Sequence, residues 1–101
     1  MIHTWLADSR IAPEVALKQI RKLAMTGGVE ITLSSTLGED EVVSLVQQWL
    51  PHLERYEVGS SAYRSSTAYR ILEAVAQDVR YCEVAELVTG FQNFLSRNHP
   101  K

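Results

Sequence analysis

The chain has 101 residues, 46% of them apolar and 22% charged, and a formal net charge of −2. That length bounds a single domain, 1–101, able to bury one modest core without a metal or disulfide staple. The slight acidity argues against bulk attraction to nucleic acid or to an anionic membrane.

Residues 2–7 form a short apolar segment that suits a strand. Pro13 suits the first turn of a helix, where its missing N–H is not needed. Ala16, Leu17, Ile20, Leu23 and Ala24 then recur at helical spacing, with Lys18, Arg21 and Lys22 mostly on the other side. Gly27-Gly28 ends this helix. Val29 to Leu33 alternates apolar and polar residues with period two, the clearest strand signal in the chain. Ser34-Ser35-Thr36 is expected to N-cap the helix that follows. That helix opens on Glu39, Asp40 and Glu41, which complement its dipole, and carries Val42, Val43, Val46, Trp49 and Leu50 on one face. Pro51 marks its expected end.

Arg55 to Val58 reads as a third strand, and Gly59 to Ser66 as a Gly/Ser-rich loop. Residues 68–79 fit two periods. Tyr69, Ile71 and Val75 would share a strand face; Ala68, Ile71, Leu72, Val75 and Val79 would share a helix face, and local pattern alone leans to helix. Val84, Leu87, Val88, Phe91, Phe94 and Leu95 form one helical stripe over about 81–97. Asn98 to Lys101 is a polar tail. Ala62-Tyr63-Arg64 recurs as Ala68-Tyr69-Arg70, too short a match to indicate a repeat architecture.

The run Asp8-Ser9-Arg10-Ile11-Ala12-Pro13-Glu14-Val15 resembles the signature of the TusA/SirA sulfur-carrier family. The resemblance covers about residues 2–76. It implies an α+β fold, a two-layer βαβαββ mixed sheet with its helices on one face, to which the 81–97 amphipathic helix would be an addition. It also tips 69–75 towards strand, against the local pattern, and makes the edge around Asp8, Arg10 and Pro13 a docking surface. The departures concern chemistry. The family's Cys-Pro-x-Pro reads Ala12-Pro13-Glu14-Val15 here, so the residue that would carry sulfur is an alanine. A glycine usual in the preceding turn is also missing.

Sulfur relay needs a thiolate. The lone cysteine, Cys82, would serve only if the fold brought it to the N-terminus of the first helix; otherwise it is a small core residue. One cysteine allows no internal disulfide and fits a reducing, cytoplasmic setting. The start lacks a signal-peptide pattern. No apolar run approaches the roughly 20 residues of a bilayer span, so no membrane role is expected. His3, His52 and His99 are far apart, with no pair at ligand spacing, so no metal and no cofactor is expected.

Arg55, Tyr56, Tyr63, Arg64, Tyr69 and Arg70 interleave charge and aromatic rings. On a hairpin joining strands three and four they would form either a protein-binding surface or a face for phosphates and bases. The layout is also similar to the Alba family and to the C-terminal domain of translation initiation factor three, which bind nucleic acid. Glu54, Glu57 and Glu73 nearby oppose that reading. The C-terminal stripe suits the core, a homodimer seam or a docking helix. Trp5 and Trp49 are expected in the core. The expected function is a non-catalytic cytoplasmic binding or regulatory protein acting through a protein partner. Nucleic-acid binding by the Arg/Tyr hairpin and sulfur relay by Cys82 stand as alternatives.

Overall fold

The computed structural model describes residues 1–98, a mixed α+β chain. It begins with a strand, helix and strand: β1 (Ile2–Ala7), α1 (Pro13–Ala24) and β2 (Gly28–Leu33). The strands pair in parallel, Ile2 opposite Gly28 through Ala7 opposite Leu33. Parallel strands cannot be joined by a tight turn, and α1 supplies the crossover. Its N-cap, Ala12, is extended at φ −61° and ψ 145°, the conformation that a following proline enforces. The return into β2 depends on Gly27, where a Cβ would stand 2.2 Å from the Met1 carbonyl oxygen.

Five helices follow: α2 (Glu39–Leu53), α3 (Ser61–Ser65), α4 (Thr67–Gln77), α5 (Cys82–Ala85) and α6 (Thr89–Asn98). The core centres on α2, whose Val42, Leu45, Val46, Trp49, Leu50 and Leu53 are all buried. The helix α4 packs against both α2 and β2, while α5 and α6 pack on α2. Trp5 and Trp49 are both buried, as their size and apolarity require.

Several expected elements differ. Among the described residues the sheet holds two strands, β1 and β2, so strands three and four of a βαβαββ layout are absent from it. Arg55 to Val58 is an irregular connection between α2 and α3. Residues 67–77 are helical, and Ala68, Ile71, Leu72 and Val75 form the buried face that the 3.6-residue period marks out. Val79 lies beyond that helix and is 91% exposed. Pro51 sits inside α2 rather than ending it. It forfeits a single N–H, whereas Leu50 and Leu53 on either side are buried and hold the last turn in place. Ser34, Ser35 and Thr36 do not cap α2. Its N-cap is Gly38, whose N–H donates to Glu41 Oε1 at 3.3 Å, while Ser34 Oγ bonds Thr36 Oγ1 within the loop.

The 81–97 stripe is split into α5 and α6 by a break over residues 86–88, where Leu87 is 78% exposed. Phe91, Phe94 and Leu95 are buried in the chain's own core, with Val84 and Val88 packed against it, so most of the stripe serves as core. Gly90 lets α6 approach α2 closely, since a Cβ there would lie 2.8 Å from Leu50 Cδ1.

The Gly27 contact is with backbone, which cannot rotate away. Gly27→Ala is expected to cost about 1–3 kcal/mol by overpacking, read as a lower urea midpoint at unchanged slope.

Candidate functional site

Parallel pairing fixes which peptide groups of β1 remain available. Gly28 N–H donates to the Met1 carbonyl and Ser34 N–H to the Ala7 carbonyl. The odd-numbered residues of β1 therefore turn their backbone polar groups towards β2. Ile2, Thr4 and Leu6 turn theirs to the opposite edge, where no further strand pairs among the described residues. The side chains alternate as well. His3, Trp5 and Ala7 point to the helices, with Trp5 and Ala7 buried. Ile2 and Leu6, on the other face, are 73% and 52% exposed. Thr4 and Glu30 share that open face. Unpaired strand edges recruit other strands, and native proteins usually blunt them with charge, proline or a covering element.

The other edge is blunted in this way. The helix α4 lies along β2, and the Arg70 guanidinium donates to the Val29 carbonyl. Glu30, Asp78 and Arg80 line the groove beside it. No residue of β1 is charged. Beside β1 lies an open, largely apolar groove of about 460 Å³, lined by Trp5 and by Gln19, Lys22, Leu23 and Thr26 from α1 and its end. Trp5 Nε1 donates to Gln19 Oε1 at 2.9 Å and ties the two walls together.

The turn after β1 holds the first predicted docking residues. Asp8 Oδ1 accepts from the Arg10 backbone N–H at 3.0 Å and from Arg10 Nε at 3.2 Å, and Oδ2 accepts from Arg10 Nη2 at 2.8 Å. Pro13 follows as the first residue of α1. The arrangement recurs at the end of α4, where Asp78 takes the Arg80 N–H at 2.9 Å, Nε at 3.2 Å and Nη2 at 3.0 Å. Hydrogen bonds from the arginine side chain, then from its backbone N–H, hold both carboxyls below the usual range. Two Asp-x-Arg clips thus close two element ends, and the identical spacing in the sequence was the available signal.

The Arg/Tyr residues do not form one surface. Tyr63 is buried, with its hydroxyl accepting from Asn98 Nδ2 at 2.9 Å. Tyr69 stacks edge-on against Tyr63 and Phe94, at 5.3 and 5.5 Å between ring centroids. Burial, then the charge of Glu73, raises the Tyr69 phenol above its ordinary value. Arg70 is spent on the β2 edge. Arg55 and Arg64 remain exposed, with Arg55 near Tyr56 and His52 at a small cleft between α2 and α4. The recurring Ala-Tyr-Arg marks two helix starts: Ser60 Oγ accepts from Tyr63 N–H and Ser66 Oγ from Tyr69 N–H, each at 3.1 Å. The serines read from composition as loop residues are N-caps.

Cys82 opens α5 and is half-buried. His3 Nε2 lies 2.8 Å from Thr26 Oγ1, and His52 packs against the Trp49 ring. His99 lies outside the described residues. No group of three potential metal ligands gathers among the described residues, and no helix there is long and apolar enough to cross a membrane. No family model, no curated protein and no solved structure matches the chain.

Two outcomes separate structural from free charge. Arg70→Ala, which leaves the Val29 carbonyl unmet, is expected to cost about 1–2 kcal/mol, against less than about 0.5 kcal/mol for Arg64→Ala, both read by urea denaturation. In an NMR titration Asp8 and Asp78 are expected to protonate below the ordinary aspartate range. Their folded values lie below the unfolded ones, so their contribution is present at neutral pH and fades as acid takes them through those depressed values. Asp8→Asn is expected to remove its share of that acid sensitivity.

Proposed function

We propose that the chain is a non-catalytic binding module that engages a protein partner by strand addition at the free edge of β1. The observation that carries this reading is the outward set of peptide groups at Ile2, Thr4 and Leu6, on an uncharged strand beside an apolar groove. In strand addition, main-chain hydrogen bonds supply affinity and alternate side chains supply specificity. Ile2 and Leu6 on the open face fit the second requirement, and the groove beside Trp5 fits the side chains that an added strand would turn inward. The resemblance to sulfur carriers supports a docking role for the same end of the molecule. The turn with Asp8, Arg10 and Pro13 continues directly from β1. Ala12 in place of the carrier cysteine supports binding without sulfur chemistry, and a single cysteine supports a cytoplasmic setting.

The nucleic-acid reading loses its hairpin, because Tyr63, Tyr69 and Arg70 are committed to internal contacts.

Thr4→Pro separates edge recognition from folding. The Thr4 N–H points away from β2, so proline removes a donor from the free edge and spares the β1–β2 ladder. Capture from native lysate is expected to retain a protein through nuclease treatment with the wild-type chain and to lose it with Thr4→Pro. A partner that survives Thr4→Pro, or that nuclease removes, overturns the reading.

A further inference from the structure

We propose that the strand added at this edge is β1 of a second copy of the chain, antiparallel to the first and centred on Thr4. The inference rests on the edge reading above and names its partner. The backbone parity already described selects the register. Residues whose N–H and C=O both face the edge are Ile2, Thr4 and Leu6, and in an antiparallel pair such residues exchange both bonds with one another. Centring on Thr4 sets Ile2 against Leu6 of the other copy, Thr4 against its equivalent, and Leu6 against Ile2. No outward N–H or C=O along this stretch is then left over.

The side chains agree with that two-fold arrangement. On the open face it pairs branched aliphatic residues, Ile2 with Leu6, around a Thr–Thr pair at the axis. On the inner face it pairs rings, His3 with Trp5. The two-fold axis sets position 4 against its own image, so a charge there would meet a like charge. The strand Ile2–Ala7 carries none. The groove beside β1 is lined by β1 and by α1 with its end, and by no residue of β2. It therefore opens beside β1 and not beside β2, on the strand that an added strand would pair with. A two-stranded sheet is a marginal unit by itself. The pairing makes it four-stranded, in the order β2-β1-β1-β2, with each outer edge covered by its own α4 and Arg70.

The test uses the whole chain and the self-pairing of position 4. Sedimentation of the wild type is expected to give twice the chain mass of 11.4 kDa. Thr4→Lys and Thr4→Glu each place like charges across the axis and are expected to give monomers with an unchanged far-ultraviolet circular dichroism spectrum. Mixing the two variants in equal amounts is expected to restore the dimer, because Lys then faces Glu. Glu30→Lys alters the same face on β2 and is expected to leave the dimer intact. A wild type that stays monomeric at NMR concentrations overturns the second copy. The edge reading then stands or falls separately, on whether Thr4→Pro abolishes capture of a different protein. A dimer that survives both charged variants, or fails to return on mixing, overturns the Thr4-centred pairing.

Discussion

Two parallel strands can satisfy only one edge of each other, and this arithmetic shapes the rest of the molecule. Half the peptide groups of β1 and half those of β2 point away from their shared ladder. On the β2 side the chain answers with its own residues, laying α4 along the edge and aiming Arg70 at the Val29 carbonyl. On the β1 side it provides no such cover among the described residues. The same alternation sorts the side chains, sending Trp5 and Ala7 into the core and leaving Ile2 and Leu6 outside. Backbone parity thus determines in one step both what the helices pack against and what a partner would meet.

The helices assemble on the inner side around α2, whose buried face runs from Val42 to Leu53. That face is broad enough to receive α4, α5 and α6, so a proline in its last turn and a break between α5 and α6 are both tolerated. Local propensity yields at these points because large apolar surfaces are buried immediately beside them. Tyr81 adds a polar tie, its hydroxyl donating to the Leu37 carbonyl at 2.8 Å in the interior. It fastens the segment before α5 to the loop that feeds α2.

Period and punctuation made much of this legible. The βαβ start and the apolar face of α2 follow from spacing and from Pro and Gly, and the burial of Trp5 and Trp49 from their size and apolarity. The helical period of Ala68, Ile71, Leu72 and Val75 was also present, and family resemblance pointed the other way. The residues themselves carried the better information, because burial acts on their spacing directly. Serines misled because their role is set by local hydrogen bonds and not by composition: Ser60 and Ser66 begin helices, whereas Ser34 and Thr36 bond each other. The candidate site was hidden for a different reason. Ile2, Thr4 and Leu6 matter through their unpaired backbone, and no side-chain motif advertises a missing neighbour.

The parallel crossover also bears on the order in which the chain folds. From α2 onwards the helices follow one another closely, and Ser66 both ends α3 and caps α4. Such near-neighbour structure closes short loops and forms early. The β1–β2 ladder must join residues 2–7 to residues 28–33, a longer closure than any helical turn, with a larger entropic cost. Helices that form first leave β1 unpaired on both sides until β2 is brought alongside. During that interval the uncharged segment Ile2–Ala7 is the part of the chain most open to misassociation. Its residence time there is governed by how quickly α1 can bring β2 alongside.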